Sequence, residues 1–441
     1  MMDSWFTPVL RVGVTGLSQA GKSTLITTLI NHLENVRRGS LRGVPELSSL
    51  THGHWQRATP RAFDYDAGLT ALTGQPPRWP QSTTDWSVAR IELSFARRWH
   101  DLAPRKQIIE LVDYPGEWLL DLQLMDWSYA EFCRTVWDWC AREPRASLGR
   151  ALLSELAAID PAQPADPALL ARLQQDWAEF LAQCRQPPYS LSQNLPGRFL
   201  LAGDVYAPQA QPFIPLFSLA AMAKDAPPWP KNSLGAVCDQ RYEAYRDQVV
   251  RPFFAEHFQS LDAQIILIDL LGAMTAGPAA LQDMRAAIEG VLAPFRYGRD
   301  HWLGRLFRRR IRKVAVCASK IDHLLPADQL RLQSLVESFL YESVQRLAAA
   351  DIDLQLFAMT AIQSAQLKTD ASGAQSLIGV DKRLGERIEF TPPTLPDHLP
   401  HQLNLRIAEL PVLAPPPGLD RARPFPSRRV DQLIKFLLEA V

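Results

Sequence analysis

Along this chain, segments whose apolar positions fit β-strands alternate with segments whose apolar positions have helical spacing. Period-two or continuously apolar segments, which predict strands, occur at residues 10–15, 88–95, 107–112, 264–270, 313–318 and 354–359. Segments with helical spacing lie between them, at residues 23–36, 242–261, 278–292 and 327–349. Strands interleaved with helices in this way are typical of an α/β fold with a mainly parallel sheet.

A phosphate-binding motif joins the first strand to the first helix. Residues 16–23 read GLSQAGKS and match the pattern G-x-x-x-x-G-K-[ST] at every position. In such a loop, backbone N–H groups and the helix N-terminus surround a phosphate chain, and the lysine reaches its outer phosphates. The alternative is a chance match in a glycine-containing turn, which the flanking strand and helix disfavour. We expect nucleotide contacts from Gly16, Ser18, Gln19, Ala20, Gly21, Lys22, Ser23 and Thr24.

Two motifs downstream fit a sensor of the terminal phosphate. An aperiodic excursion over residues 37–80 leads to Thr83 and Thr84, of which Thr83 is the first candidate for a switch threonine and Thr84 the second. The strand at 107–112 then delivers Asp113, Gly116 and Glu117 as a D-x-x-G-E sequence. Ser23, a switch threonine and Asp113 are candidate Mg²⁺ ligands, and the Gly116 N–H is a candidate contact to the γ phosphate. Read alone, D-x-x-G is equally consistent with a β-turn.

A base-reading motif follows the strand at 313–318. Ser319-Lys320-Ile321-Asp322 places a carboxylate where it can accept hydrogen bonds from guanine N1–H and the exocyclic amine, neither of which adenine offers in that pattern. Lys320 is expected to lay its alkyl stem along the base, and after the next strand a backbone N–H of Thr360-Ala361 is expected to meet the guanine oxygen. The alternative for this motif is a capped strand end.

The remaining chain suggests an insertion and an appendage. Residues 118–262 have helical spacing broken by prolines, and residues 373–441 hold short alternating segments, including 388–391 and 403–407, before a final helix at 430–440. We therefore predict four parts: 1–117 and 263–372 as the two portions of the nucleotide domain, 118–262 as a mainly helical insertion, and 373–441 as a β-containing appendage.

Charge and cysteine content limit the partners. The 47 basic and 47 acidic residues balance, so nothing global predicts nucleic acid as a partner, and the five scattered cysteines indicate neither disulfides nor zinc. We expect a cytoplasmic protein, because the N-terminus has no leader pattern. Residues 302–311 form a basic amphipathic segment that fits peripheral contact with an anionic membrane; a helix packed on the domain with its arginines in water is the alternative.

The wording of the motifs resembles one family in particular. DYPGEWLLDL at 113–122, YEAYRDQVVRPFFAEHF within 242–258, FRYGR at 295–299 and the terminal PFPSRRVDQLIKFLL are similar to the YcjX-like family of bacterial P-loop GTPases. This resemblance implies a fold that binds GTP or GDP, a helical insertion after the D-x-x-G motif, and a tie to bacterial envelope stress through an effector that is not defined.

Three functions compete on these residues. A Mg²⁺-dependent GTPase switch uses every motif, with Lys22, Thr83 and Glu117 as catalytic candidates. Glu117 stands where small GTPases commonly have glutamine and can accept from water but not donate, so we expect slow turnover. A membrane-associated nucleotide-binding scaffold with little hydrolysis would differ from this switch only in its rate of hydrolysis and its location. An ATP-dependent kinase leaves Asp322 without a purpose.

Overall fold

The computed structural model describes residues 7–17, 20–39, 41, 43–57, 61–81, 85–97, 105–200, 211, 213–218, 229–296, 311–350 and 352–439. The chain divides into two compact units. The first comprises Met1–Pro115, Ser260–Gly277 and Gly298–Val441, and the second comprises Gly116–Gln259 and Pro278–Tyr297. The chain therefore passes from one unit to the other between Pro115 and Gly116, within the D-x-x-G motif. The four-part division made from the sequence stays a prediction.

A seven-stranded sheet forms the centre of the first unit, in the order β2-β3-β4-β1-β5-β6-β7. Neighbours from β4 through β7 run parallel, whereas β2 and β3 are antiparallel at one side. This mainly parallel sheet confirms the predicted α/β fold class. The strands are β1 (Val9–Gly16), β2 (Leu50–Gln56), β3 (Ser87–Phe95), β4 (Lys106–Asp113), β5 (Ala263–Ile268), β6 (Lys313–Ala318) and β7 (Asp353–Ala358).

The burial of the strands follows their sequence patterns. β5 and β6 are buried at every position, as expected for interior parallel strands covered on both faces. β3 alternates, and the four apolar residues predicted for its buried face, Ala89, Ile91, Leu93 and Phe95, are all buried in the core. The predicted strands at 88–95, 107–112 and 313–318 are confirmed.

Six helices described in the first unit are α1 (Lys22–Glu34), α2 (Tyr65–Thr73), α10 (Leu270–Ala276), α12 (Pro326–Phe339), α13 (Tyr341–Ala348) and α14 (Val430–Leu438), numbered along the chain. The single helix predicted over 327–349 is wrong in one respect, because the helix ends at Phe339 and a new one begins at Tyr341. The short helix α10 directly follows β5, so the strand predicted to reach residue 270 ends at Ile268.

The excursion predicted over residues 37–80 is not aperiodic. It contains the edge strand β2 and the helix α2, whose N-terminus is capped by the Asp64 side chain, which accepts from the Ala67 N–H at 3.0 Å. The strand was missed because its register shifts between Leu50 and His52 and because a glycine, Gly53, occupies one of its buried positions. A bulge of this kind breaks the two-residue alternation on which strand prediction depends.

A small antiparallel sheet, of order β10-β9-β8, lies in the C-terminal part of the chain. Its strands are β8 (Gln366–Thr369), β9 (Gln375–Val380) and β10 (Arg387–Phe390), the last of which confirms the strand predicted at 388–391. The strand predicted at 403–407 is wrong: Leu403 has a φ of 54°, and residues 404–407 belong to neither sheet. A left-handed residue at this point is incompatible with an extended strand.

The second unit is mainly helical among its described residues. Local signals explain the helix starts: Ser128 and Glu131 form a reciprocal capping box, and Asp166 caps a helix whose first residue is Pro167. None of the described helices in either unit has both the length and the hydropathy needed to cross a membrane. The helices of the second unit are α3 (Gly116–Leu120), α4 (Tyr129–Cys140), α5 (Arg145–Leu148), α6 (Arg150–Ala158), α7 (Pro167–Arg185), α8 (Leu234–Tyr245), α9 (Arg251–Glu256) and α11 (Pro278–Leu292).

Candidate nucleotide-binding site

The phosphate-loop motif connects β1 to α1, and glycine occupies the position directly before the helix. Gly21 precedes the helix with a φ of 87°, a left-handed conformation that glycine adopts without a steric penalty. Within the described residues, no side chain caps this N-terminus, and the first turn carries no acidic residue. The positive end of a helix dipole at such a loop favours an anion.

Lys22 joins this helix start to the end of β4. Its Nζ atom lies 2.7 Å from Asp113 Oδ1 and donates to the Tyr114 carbonyl at 2.7 Å. Asp113 is fully buried, where an unpaired charge would be costly, and the nearby Lys22 ammonium compensates its charge. The structure thus brings the lysine of the first motif and the aspartate of the second into direct contact.

Ser23 is held by the segment that leads to the candidate switch threonines. Its hydroxyl donates to the Gln81 carbonyl at 3.1 Å. Gln81 is the last described residue before Ser82, and both Thr83 and Thr84 lie outside the described residues. The last described residue of this segment, Gln81, therefore contacts Ser23, the first candidate metal ligand.

Tyr114 fixes the D-x-x-G backbone and was not singled out by its sequence. Its hydroxyl donates to Gln264 Oε1 on β5 at 2.5 Å, while the Gln264 side chain donates to the Ile265 carbonyl at 2.8 Å. Burial raises the pKa of Tyr114, which keeps the phenol protonated as a donor. This side chain anchors the carbonyl that Lys22 contacts, and only the three-dimensional structure reveals the pairing.

Two consecutive residues of β5 hold the phosphate loop and the base-reading motif. The Leu17 N–H donates to the Leu267 carbonyl at 3.0 Å, and the Ser319 N–H donates to the Ile268 carbonyl at 3.0 Å. The Ser319 hydroxyl donates to the same Ile268 carbonyl at 3.2 Å. Since β1, β5 and β6 are parallel neighbours, the two motifs lie at one carboxyl edge of the sheet, where ligands of open α/β sheets bind.

Lys320 forms an ion pair at this edge. Its ammonium group contacts the Asp269 carboxylate, which also accepts from the Gly272 N–H at 3.0 Å and so caps α10. Burial favours the neutral acid, but the lysine and the cap outweigh it, so the pKa of Asp269 is lowered. Lys320 has a φ of 67°, a backbone strain of the kind that persists where surrounding contacts enforce it.

Asp322 is the centre of a hydrogen-bonded loop. The carboxylate is buried; Oδ1 accepts from the Thr360 hydroxyl, and Oδ2 accepts from the Ser364 N–H, the Ser364 hydroxyl and the Ala365 N–H at 2.7, 2.8 and 3.1 Å. Thr360 is held in turn by a backbone bridge to Arg428. The sequence identified Asp322, Thr360 and Ala361 but not Ser364, because no local pattern links residues so far apart in the chain.

The predicted site residues thus fall into four groups. The structure brings Gly16, Ala20, Gly21, Lys22, Ser23 and Thr24 together with Asp113, and it gathers Ser319, Lys320, Asp322, Thr360 and Ala361 at the same edge of the sheet. Gly116 and Glu117 belong to the second unit. Ser18, Gln19, Thr83, Thr84 and residues 302–310 of the basic amphipathic segment lie outside the described residues.

The described residues fit a nucleotide with its magnesium ion. The uncapped start of α1 and the Lys22 ammonium supply donors and positive charge for phosphates. The Ser23 hydroxyl and the Asp113 carboxylate are hard oxygen donors of the kind Mg²⁺ prefers.

The sheet order and the loop between β1 and α1 define an α/β P-loop protein. The model of the YcjX-like family, DUF463, matches residues 10–440, so this chain belongs to the YcjX-like family, as its motifs predict. A Shewanella oneidensis protein named "Ras-like GTPase YcjX" is 31% identical over 412 residues, covering 89% of this chain and 85% of the relative. An Escherichia coli protein of the same name is 30% identical over 465 residues, covering 97% of this chain and 95% of the relative.

Proposed function

We propose that this protein binds GTP at the phosphate loop, hydrolyses it to GDP and phosphate, and acts as a nucleotide-controlled switch. The observation that carries the proposal is the pairing of Lys22, at the uncapped start of α1, with Asp113 at the end of β4. The names of the two relatives, both Ras-like GTPases, support it. The role in bacterial stress and the cytoplasmic or peripheral location stay predictions.

The phosphate end of the site uses charge and backbone donors. Lys22 is expected to exchange its contacts with Asp113 and the Tyr114 carbonyl for the β and γ phosphates, while the N–H groups at the start of α1 bind their oxygens. Ser23 and Asp113, with Thr83 or Thr84, would hold Mg²⁺, which supplies neutralisation of phosphate charge when bound. Lys22 therefore acts in both binding and stabilisation of the transition state.

Recognition of the guanine base requires that Asp322 has acceptor positions available for it. Guanine recognition by Asp322 needs acceptor positions for N1–H and the exocyclic amine, yet Oδ2 already accepts three hydrogen bonds. Oδ1 accepts from Thr360 and retains one acceptor position. A two-point contact with guanine therefore requires Ser364 or Ala365 to release Oδ2. With Ser319, Lys320 and Ala361, this carboxylate is the proposed source of preference for guanine over adenine.

Glu117 is the proposed residue that orients the attacking water. A carboxylate accepts a water proton but offers no donor to the γ phosphate, so slow intrinsic hydrolysis follows from its chemistry. The second candidate function, a nucleotide-binding scaffold with little hydrolysis, is favoured by one observation: Glu117 is engaged in an ion pair within the second unit.

The direct test is replacement of the phosphate-loop lysine. Lys22→Ala removes a charge-assisted contact to phosphate, so affinity for GTP and GDP should fall by roughly 10- to 100-fold and hydrolysis should be lost. Lys106→Ala, which also removes a lysine ion pair but on an exposed part of β4, is the matched control and should bind like wild type. Titration with a fluorescent GDP analogue, with thermal melting to verify folding, measures this; unchanged affinity in Lys22→Ala would refute the proposal.

A further inference from the structure

The carboxylate of Glu117 is paired with an arginine of the helical unit. Glu117 lies in the first turn of α3, and its carboxylate contacts the guanidinium of Arg185, the last residue of α7. The side chains are 9% and 26% exposed, respectively, so the pair is only partly screened by water. Both residues belong to the second unit, and their pairing is a property of that unit alone.

A second segment fixes the backbone beside this pair. A side chain at Gly197 is excluded, because its Cβ would lie 2.3 Å from the Glu117 carbonyl oxygen. The Gly197 N–H donates to Asp121 at 2.6 Å, and the Arg198 guanidinium lies 3.9 Å from the Trp118 ring centroid. Residues 117–121 are therefore held on the backbone side by the loop at 197–198 and at the carboxylate by Arg185.

From this geometry we infer that Arg185 is a positioning residue that holds Glu117 out of its role in hydrolysis, so that the helical unit slows turnover. The inference rests on the proposed function, in which Glu117 orients water. A carboxylate paired with a guanidinium, here through Oε1, is a weaker acceptor for a water proton than a carboxylate without such a partner. Orienting water then requires the ion pair to open, and the free energy of opening adds to the barrier.

The experiment measures hydrolysis of bound GTP in a single turnover by the full chain. Arg185→Gln removes the charge and keeps a polar side chain of similar shape, and Arg185→Met keeps the apolar stem if the first variant does not fold. We expect either variant to hydrolyse GTP about tenfold faster, equivalent to about 1.4 kcal/mol in the barrier. GTP affinity should stay within about twofold of wild type, whereas a general loss of structure would change affinity as well.

Three further variants isolate the pair. Arg185→Lys retains the charge and should hydrolyse GTP close to the wild-type rate. Arg172→Gln removes a more exposed arginine of the same helix, which pairs with Glu155 and Asp176, and should match wild type. In a Glu117→Ala background, which should itself hydrolyse more slowly than wild type, Arg185→Gln should have no effect, because the group that it releases is absent.

Several outcomes would overturn the inference while leaving GTP binding intact. Hydrolysis that is unchanged or slower in both Arg185→Gln and Arg185→Met would show that Arg185 does not restrain Glu117. The same acceleration in the Glu117→Ala background would show that Arg185 acts through another group. Wild-type protein that binds no guanine nucleotide would instead refute the proposed function, and the inference with it.

Discussion

His32, on the helix that follows the phosphate loop, is a buried titratable residue outside the proposed chemistry. Its Nε2 atom lies 2.9 Å from the Ser427 hydroxyl. Burial lowers its pKa to about 4, against a smaller opposing effect of Asp431. The folded protein therefore keeps the imidazole neutral at pH 7.

This shift predicts a pH-dependent loss of stability. Between about pH 6.5 and pH 4 the unfolded chain binds a proton that folded His32 refuses, so the free energy of unfolding falls as the pH falls, by up to about 3 kcal/mol. Asp121, whose pKa burial raises to about 6, has the opposite effect, so the comparison must be with a variant. Urea unfolding at pH 7 and pH 5 should show a decrease about 2 kcal/mol smaller in His32→Gln than in wild type. Equal decreases would contradict a buried neutral histidine.

The polar residues of the base-reading loop show where prediction from sequence ended. The local pattern placed Asp322 after the end of one predicted strand and Thr360 after the end of the next. The three hydrogen bonds that Asp322 Oδ2 accepts from Ser364 and Ala365 could not be predicted in this way, because hydrogen bonds across about forty residues of chain leave no periodic signal. Tyr114 with Gln264 and Glu117 with Arg185 were missed for the same reason.

At the scale of elements, α1 and the C-terminal segment at 421–427 form one hydrogen-bonded assembly. The Asn31 amide donates to the Arg421 and Arg423 carbonyls, each at 3.1 Å, and its oxygen accepts from the Phe425 N–H at 2.9 Å. The Pro426 carbonyl accepts from the Gln363 N–H at 2.7 Å. The segment therefore ties the phosphate-loop helix to the loop that carries Thr360 and Ala361.

This tie predicts a large effect from one buried amide. Asn31→Ala should lower the free energy of unfolding by about 2–4 kcal/mol, because it removes the side-chain partner of the Arg423 carbonyl and of the Phe425 N–H and leaves the Arg421 carbonyl with the Asn35 amide alone. Thr28→Val is the control on the same helix: the Thr28 hydroxyl is buried without a hydrogen-bond partner among the described residues, so its removal should change stability by no more than about 0.5 kcal/mol. Urea unfolding of both variants measures the difference, and equal losses would show that the amide contacts do not stabilise the fold.

Elements with an undisturbed period were predicted well, and elements with a break in the period were not. β3 and α11 follow their apolar spacing to the ends. β2 was missed because of its bulge, and the boundary between α12 and α13 because Leu340 interrupts one continuous helical pattern. Local irregularities are set by tertiary packing, which single-residue periodicity does not report.

At the scale of the whole molecule, the chain enters the helical unit inside the D-x-x-G motif. Asp113 and Tyr114 belong to the first unit, and Gly116 and Glu117 to the second. Any change at the phosphate site that moves Gly116 therefore acts on the first residue of the helical unit. In the proposed switch, this covalent link would carry a change at the nucleotide into the helical unit.

The measurement that tests the account most directly is competition of unlabelled GDP and ADP against a fluorescent GDP analogue, with Mg²⁺, on the full chain. The account predicts that GDP binds at least about 100-fold more tightly than ADP, because adenine has neither the N1–H nor the 2-amino group that guanine would donate to Asp322. It also predicts that Lys22→Ala weakens GDP binding. ADP binding equal to or tighter than GDP binding would contradict guanine recognition and would favour an ATP-dependent kinase instead.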